Sequence, residues 1–527
     1  MSTGKSTPEH PHQAIIRSAG IISLATFISR ILGFIRDVVI ARLFGVYLYA
    51  QAFVIAFRIP NLLRDLVGEG AANAAFVPVF SEYTAKHTKE EFWDLANVVL
   101  NLMLVILAAI TVLGIVFSPL IVRLIAPGFI ADPEKLATTI KLNRIIFPYI
   151  LLIGLAAYAT GMLNSLKHFT VPAFAPCLLN ISIIVFALLY GEGIRGLATG
   201  VLVGGFLQLV VQIPVLYKKG FRLELFRRFR HPAARTIGLL MVPRLLSSCI
   251  YQLNNFVDSI FGSLAFIVGE GGVAVLYFAY RLIQFPLGIF SNALSQAILP
   301  TFSLLALEDN RKRLAETLSF GLRAVFFILL PVTAGFMVLS GPLVFTLFGG
   351  GKFDHYSAQA TAQALFFYSI GLTAYGLTKI LQSCFFSLKD TVTPTKVSFL
   401  ALILNIAFNM LLMFPMKLKG LALATSLSGI ISCLVLFFML SKRLGVIDLG
   451  GIVYSFLRIL LASISMGGVC YLVSQNSIFP GARLLERTVN LGLAILTGLA
   501  AYLIFCLIFR VSEMQELLQW LGKKKKS

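Results

Sequence analysis

The 527-residue chain is 58% hydrophobic and only 13% charged, and its formal net charge is +21. Soluble domains are nearer half apolar and a quarter charged, so this composition excludes a soluble globular protein and indicates an all-α polytopic membrane protein. The sequence has no P-loop, nucleophile elbow, zinc-protease helix or dinucleotide-binding fingerprint, which argues against an enzyme and against ATP-driven transport by this chain alone.

Apolar segments long enough to cross a hydrocarbon core of about 30 Å as helices recur along the whole chain. We predict fourteen transmembrane helices, near residues 16–44, 49–83, 92–118, 137–165, 172–190, 195–217, 236–268, 272–305, 313–347, 357–386, 392–414, 418–441, 451–474 and 485–510. Connections rich in Lys and Arg alternate with connections poor in them, which by the positive-inside rule places both termini in the cytoplasm. The positive charge is therefore mostly a topology signal, and nucleic acid is not an expected partner. The basic cluster at 218–235 suits anionic lipid headgroups.

Two motifs repeat at one fixed offset. Ala75–Ser81 (AFVPVFS) matches Ala297–Ser303 (AILPTFS), and their prolines are 300 − 78 = 222 residues apart. Ser165–Lys167 matches Ser387–Lys389 at the same offset. Each repeat holds six helices, an even number, so both insert with the same orientation. Transporters built from such parallel repeats bind substrate at the repeat interface, which predicts alternating access.

The repeat sets the predicted domain boundaries. They are an N-lobe (1–218), a basic cytoplasmic linker (219–235), a C-lobe (236–443), a helix pair outside the repeat (444–510) and a basic cytoplasmic tail (511–527). The two lobes are expected to be pseudo-symmetric.

Several arginines lie within the apolar segments, where each costs roughly 2.5–3.5 kcal/mol on insertion scales. A chain that keeps them is expected to have a polar cavity that they face, and the arginine fork suits a diphosphate. The candidate substrate-binding residues are Arg30, Arg36, Asp37, Arg58, Arg64, Glu69 and Arg281. The alternative is that the arginines pair with neighbouring acids and only hold helices together, and it applies most to Arg58 and Arg42.

A second polar set lies in the predicted C-lobe. It consists of Asp258, Asn405, Asn409 and Thr425. One carboxylate, two amide oxygens and a hydroxyl could surround a small hard cation such as sodium. A hydrogen-bonded network between helices is an equally good interpretation, because Asn and Thr often form such networks in membranes.

The chain resembles a known family in a set of motifs. They are Ser29–Asp37 (SRILGFIRD), Pro60–Arg64 (PNLLR), Glu69–Ala71 (EGA), Ala75–Pro78 (AFVP), Ala126–Phe129 (APGF), Phe147–Tyr149 (FPY) and Pro172–Pro176 (PAFAP). With them the chain is similar throughout to the bacterial MurJ (MviN) lipid II flippases, of the superfamily that also holds MATE drug exporters and polysaccharide-lipid flippases.

The resemblance implies fourteen helices and a final helix pair that forms a groove for an undecaprenyl tail. By position, the family's cavity arginines match Arg30, Arg36, Arg64 and Arg281, with Asp37 beside them. Tyr280 and Gln284 stand where some members have acids, so a role of such acids does not transfer. The Asp258, Asn405, Asn409 and Thr425 set resembles a sodium site of the family, with Asn409 where a second carboxylate can occur.

We therefore expect a monomeric flippase of the bacterial inner membrane that moves lipid II outward through a cationic cavity. The expected energy source is the membrane potential or an ion gradient, with no cofactor other than a candidate sodium ion. Partner proteins of cell-wall synthesis or division are left open, and membrane lipids are expected contacts. The alternatives are a MATE-like cation exporter, a flippase for another polyprenyl-diphosphate glycan, and a membrane scaffold that transports nothing.

Overall fold

The computed structural model describes residues 11–64, 76–191, 193–226, 228–308, 310–445, 447–476, 484–516 and 519; side chains are described there except at 11–19, 63, 64, 240–252 and 255. These residues form helices α1 to α20 and contain no β-strand. One isolated bridge joins Gly350 to Phe353 within a turn. The predicted all-α class is confirmed.

The chain divides into two compact units, of which the first comprises the residues up to Phe44 together with Leu48–Gln252. Its helices are α1 Pro11–Phe44, α2 Leu48–Arg64, α3 Val77–Lys86, α4 Lys89–Val116, α5 Ser118–Ile125, α6 Pro133–Ile146, α7 Tyr149–Ser165, α8 Thr170–Tyr190, α9 Ile194–Val210, α10 Ile213–Lys219 and most of α11 Pro232–Gly262. Helix α1 packs along α8, and α8 packs on α9. Helix α2 packs on α6 and α7.

Aromatic side chains form the core of the first unit. Phe76, Phe80 and Tyr158 are at most 1% exposed, and their ring centroids lie 5.7 to 6.1 Å apart. The Tyr158 hydroxyl donates a hydrogen bond to the Ala96 backbone oxygen, which satisfies its polar group inside the core. These contacts fix α3 and α7 against α4.

The second unit comprises Gly45–Tyr47 and the chain from Leu253 onward. Its helices after α11 are α12 Ala265–Val268, α13 Gly272–Pro286, α14 Asn292–Leu307, α15 Arg311–Leu347, α16 His355–Ser387, α17 Val392–Met416, α18 Leu418–Leu444, α19 Leu449–Gln475 and α20 Leu484–Ile508. Helix α16 packs on α15 and α18, and α17 packs along α18. Helices α19 and α20 pack on each other and on α15.

Eleven helical segments of the described residues are long and apolar enough to cross a membrane. They coincide with eleven of the fourteen predicted spans. The other three predicted spans, 16–44, 49–83 and 236–268, fall on α1, on α2 and α3, and on α11 and α12. Residues 65–75 of the second span lie outside the described residues, and some side chains of the other two are not described, so the count of fourteen stays a prediction.

Prolines interrupt three of the predicted helices. The predicted helix 137–165 is α6 and α7, which meet at Pro148, and the predicted helix 195–217 is α9 and α10, with Pro214 in the first turn of α10. In the predicted helix 272–305, one turn of π-helix follows Pro286. Proline lacks an amide hydrogen and clashes with the preceding turn, which explains why the regular α-helix is interrupted there.

The Ser-Leu-Lys motifs of the repeat end their helices with the same geometry. Lys167 follows α7 and Lys389 follows α16, and both adopt a left-handed backbone with φ of 58°. The amide after each lysine donates to the carbonyl five residues earlier, Leu163 O at 2.8 Å and Phe385 O at 3.0 Å. Each helix therefore ends in the same type of C-terminal cap. The arrangement of two six-helix lobes remains a prediction.

Candidate functional site

Two charged residues of α1 form a buried ion pair in the first unit. Arg36 is 5% exposed and Asp37 is 0% exposed. Arg36 Nη2 lies 2.7 Å from Asp37 Oδ1, and Arg36 Nε donates to the same oxygen at 3.0 Å. The carboxylate therefore holds one edge of the guanidinium, an arrangement that fixes the orientation of its remaining donors.

Helix α8 supplies the next contact of this ion pair. Arg36 Nη1 donates to Asn180 Oδ1 at 3.2 Å, and Asn180 Nδ2 donates to the Ser29 backbone oxygen at 3.2 Å. Asn180 thus connects the guanidinium to the α1 backbone two turns away. Asn180 is not among the predicted site residues, although an Asn in an otherwise apolar helix is itself a signal of a polar contact.

The other arginines of the first unit differ in their surroundings. Arg30 is exposed, and no ion pair to it is seen among the described residues. Arg58 is partly buried in α2, two residues before Pro60. Arg64 is the last residue of α2, but its side chain lies outside the described set, as does Glu69 altogether. For Arg64 and Glu69, a role in substrate binding stays a prediction.

Arg281 lies in α13 of the second unit and is partly buried. Its Nη1 donates to Gln284 Oε1, one turn further along the helix, at 3.1 Å. Beside it, Tyr280 packs against Tyr368 of α16 with ring centroids 5.4 Å apart. The hydrogen-bond acceptor supplied by Gln284 is therefore a neutral amide.

The second polar set comes together inside the second unit. Asn409 Nδ2 donates to Asn405 Oδ1 at 3.0 Å, and Asn405 Nδ2 donates to Thr425 Oγ1 at 3.0 Å. Thr425 Oγ1 lies 3.4 Å from Asp258 Oδ1, so the four predicted residues form one chain of hydrogen bonds across α11, α17 and α18.

Two oxygens around this chain lack a hydrogen-bond partner within the described residues. They are Asn409 Oδ1, on a residue that is 0% exposed, and Asn254 Oδ1, one turn before Asp258 on α11. A small hard cation is bound by oxygen ligands, here one carboxylate with amide and hydroxyl oxygens. Buried oxygens without a hydrogen-bond partner are compatible with coordinating such a cation. The same geometry also agrees with a hydrogen-bonded network.

The chain matches the family model for the lipid II flippase MurJ over residues 40–510. It is 36% identical over 463 residues to the probable lipid II flippase MurJ of Buchnera aphidicola subsp. Schizaphis graminum, which covers 86% of this chain and 88% of the relative. It is 32% identical over 477 residues to the lipid II flippase MurJ of Burkholderia cenocepacia, covering 89% of this chain and 92% of the relative.

Solved structures give the same picture. A lipid II flippase MurJ in an inward closed conformation superposes with a TM-score of 0.77 at 29% identity, covering 93% of this chain and 98% of that one. An inward-facing MATE family multidrug transporter of the MOP superfamily superposes with a TM-score of 0.68 at 17% identity, covering 81% of this chain and 98% of that one. At that identity the second likeness concerns the fold alone.

Proposed function

Because the chain belongs to the lipid II flippase MurJ family, we propose that it moves lipid II, the undecaprenyl-diphosphate-linked peptidoglycan precursor, from the inner to the outer leaflet of the cytoplasmic membrane. The observation that carries this proposal is the family match over residues 40–510, which spans both compact units. The family is one of transporters, and the chain is a multi-pass bacterial membrane protein. Both termini are proposed to lie in the cytoplasm.

The arginines are the proposed ligands of the diphosphate within a cationic cavity. Arg30 is exposed, and Arg281 donates to a neutral amide, so both suit an anionic group that arrives from outside. Arg36 differs, because Asp37 already accepts two of its hydrogen bonds. A phosphate that takes the Nε–Nη2 edge of Arg36 must compete with Asp37 for it. We propose that this competition lets a change of conformation release the substrate, as alternating access requires.

The lipid tail is proposed to lie along α19 and α20. This helix pair is fixed to α15, where the Tyr502 hydroxyl donates to the Phe327 backbone oxygen at 2.7 Å. Large apolar side chains of the pair remain exposed, among them Leu485 at 75% and Leu496 at 65%. An undecaprenyl chain is apolar along its whole length, so it would cover such a surface favourably.

The energy source is proposed to be the membrane potential or an ion gradient. Moving one elementary charge across the membrane is worth about 2.3 kcal/mol per 100 mV. The Asp258, Asn405, Asn409 and Thr425 set is the proposed place for a coupling sodium ion. When bound, sodium would supply a positive charge next to the Asp258 carboxylate.

Lipid II accessibility in the outer leaflet tests the proposal. In a bacterium depleted of its own flippase, the wild-type chain should restore outer-leaflet lipid II, whereas Arg30→Gln and Arg281→Gln should not. Arg144→Gln, at an exposed arginine near the end of α6, is the matched control and should restore it. Failure of the wild-type chain, with no other flippase present, would reject the substrate.

Another polyprenyl-diphosphate glycan is the second candidate substrate, because the arginine chemistry is the same for any diphosphate-linked lipid. Rescue of a glycan-flippase mutant, without rescue of lipid II flipping, would favour it. A MATE-like cation exporter is disfavoured, since arginines outnumber acids at the candidate positions on α1, α2 and α13.

A further inference from the structure

The connection between α10 and α11 is held against α4 by two asparagine side chains. Asn97 Nδ2 donates to the Arg222 backbone oxygen at 3.0 Å, and Asn97 Oδ1 accepts from the Glu224 amide at 2.9 Å. One turn further along α4, Asn101 Oδ1 accepts from the Phe226 amide at 3.2 Å. These bonds fix the backbone of the α10–α11 loop, whose described residues, 220–226 and 228–231, belong to no helix or strand.

Phe221 of the loop is buried, but the other apolar side chains described in the loop are exposed. Phe226 adopts a left-handed backbone with φ of 55°, a conformation that is strained for a bulky residue. Its ring is 56% exposed, and Leu223, Leu225 and Phe229 are 47%, 48% and 42% exposed. Asn101 therefore stabilises a strained conformation whose effect is to present a phenyl ring outward. In water such a display would be unfavourable.

Basic side chains surround these apolar residues. Arg222, Arg228 and Arg230 are all exposed, and Glu224 is the one acid within residues 218–230. Arg228 is tied to α4, because its Nη1 lies 3.1 Å from both carboxylate oxygens of Asp94. Exposed apolar tips within a basic surface are the combination found in segments that lie at an anionic membrane interface.

The loop lies where α4 passes from charged to apolar sequence. All charged residues of α4 fall within Lys89–Asp94, and the remainder of the helix, to Val116, is uncharged. Trp93 lies at this transition on α4, and its ring packs against the ring of Phe221 of the loop with centroids 5.5 Å apart. Tryptophan prefers the headgroup region of a bilayer. Asn97 and Asn101 therefore hold the loop at the depth of the membrane–water boundary.

We propose that the α10–α11 loop is an interfacial anchor that binds anionic phospholipid headgroups around α4. Leu225 and Phe226 insert among the upper acyl chains, while Arg222 and Arg230 bind lipid phosphates. A bilayer fits better than an acidic protein partner, because the exposed apolar side chains lie at the boundary depth where lipid already surrounds α4. The anchor is independent of the substrate that the protein transports.

Fluorescence quenching in vesicles tests the anchor. The full-length chain has two tryptophans, so a Trp520→Phe protein retains Trp93 as the baseline and Phe226→Trp adds a reporter at the loop tip. Both proteins are reconstituted in phosphatidylcholine and in an equal mixture with phosphatidylglycerol. Lipids brominated near the carboxyl end of the acyl chain should quench the added tryptophan, and more strongly in the anionic mixture. Phe229→Trp provides a second reporter if Phe226→Trp does not fold.

The charge contribution is tested with a matched pair of variants. Arg222→Gln should raise the phosphatidylglycerol fraction needed for half-maximal quenching about fivefold, the effect expected of one basic residue near an anionic surface. Arg311→Gln, at an exposed arginine of α15, should leave it unchanged. Equal quenching in both lipid mixtures would overturn the anionic-lipid assignment. Quenching by aqueous acrylamide and not by bromolipid would overturn the anchor and leave the loop to a protein partner.

Discussion

Arg36 and Asp37 are adjacent in sequence, and their interaction makes each dependent on the other. Removing one partner of a buried ion pair leaves an uncompensated charge, which costs about 3–5 kcal/mol. Since Asp37 is 0% exposed, Arg36→Ala should lower the thermal stability of the purified protein substantially. Arg36→Ala combined with Asp37→Ala should recover most of that loss.

Thermal unfolding of the three proteins in one detergent checks this expectation. Arg144→Ala, at an exposed arginine on α6, is the control for loss of a surface charge and should change stability little. If Arg36→Ala is as stable as the wild type, the pair is not the stabilising contact that its geometry indicates. In that case the single variant can also be used in transport assays.

Sodium binding at the second polar set has its own test. A cation that binds the folded state raises its stability by an amount that grows with concentration over Kd. Sodium, but not potassium at the same ionic strength, should therefore raise the unfolding temperature of the wild type, and Asp258→Asn should abolish the increase. Equal effects of the two salts would favour the hydrogen-bonded network of Asp258, Asn405, Asn409 and Thr425.

The sequence predicts which charged residues lie within the apolar segments, but not all of the residues that they contact. Arg36 and Asp37 are conspicuous because they interrupt an apolar segment. Asn180 is 144 residues from Arg36, and it becomes a partner only because α1 packs along α8. The four residues of the second polar set were predicted as a group and do meet, whereas Asn97 and Asn101 bind the backbone of a loop at least 123 residues away in sequence, a contact that depends on tertiary packing.

The C-terminal caps at Lys167 and Lys389 have the same geometry and can be compared directly. A left-handed backbone is most unfavourable for β-branched residues and costs an ordinary residue roughly 1–2 kcal/mol. Because the lysines already bear this cost, Lys167→Val and Lys389→Val should each destabilise the protein by the additional cost of a β-branched side chain, and by similar amounts at the two sites. Lys167→Gly and Lys389→Gly should be neutral or slightly stabilising. Unequal effects of the valine variants would show that the two caps are not equivalent.

Tyr47 links the turn before α2 to the start of α16, because its hydroxyl donates to Asp354 Oδ2 at 2.5 Å. That hydrogen bond, together with partial burial, raises the pKa of Tyr47 to about 12. Burial alone would raise the pKa of Asp354, but hydrogen bonds from Tyr47 and Ser357 outweigh it, so the pKa lies below its ordinary value of 3.8.

The two shifts predict how the contribution of this contact changes with pH. The lowered pKa of Asp354 stabilises the fold at pH values above 3.8, and this stabilisation is lost as the pH falls below that value. The raised pKa of Tyr47 stabilises the fold below about pH 10, and this stabilisation is lost as the pH rises to about 12. Tyr47→Phe should therefore be less stable than wild type by a constant difference between about pH 5 and 9, and the difference should shrink at both extremes. A difference that does not change with pH would rule out this linkage.

At the scale of elements, periodicity and hydropathy located the helices well, and local chemistry explains the departures. The predicted helix 137–165 is interrupted at Pro148, which lacks the amide hydrogen that an uninterrupted helix needs. The predicted helix 92–118 corresponds to α4, which ends at Val116, and Pro119 lies in the first turn of the separate helix α5. Apolar composition persists across such breaks, so hydropathy alone cannot detect them.

For the whole molecule, composition and the internal repeat carry most of the prediction. Long apolar helices separated by short polar connections determine a membrane fold almost without reference to tertiary contacts. The packing of Phe80 and Phe302, equivalent positions that are both 0% exposed, agrees with a duplicated core. Which state of the transport cycle the chain occupies depends on small differences between conformations, and these leave no pattern in the sequence.

The orientation of the repeats predicts which side of the membrane each connection lies on. If each repeat contains an even number of spans, the connections that carry Lys167 and Lys389 must lie on the same side of the membrane, and the positive-inside rule makes that side the cytoplasm. Reporter fusions at His168 and Asp390 should both be cytoplasmic, whereas a fusion at Gly351, between α15 and α16, should be external. Opposite locations for His168 and Asp390 would require an odd number of spans between them. The repeats would then be inverted, and the symmetry axis would lie in the membrane plane instead of along its normal.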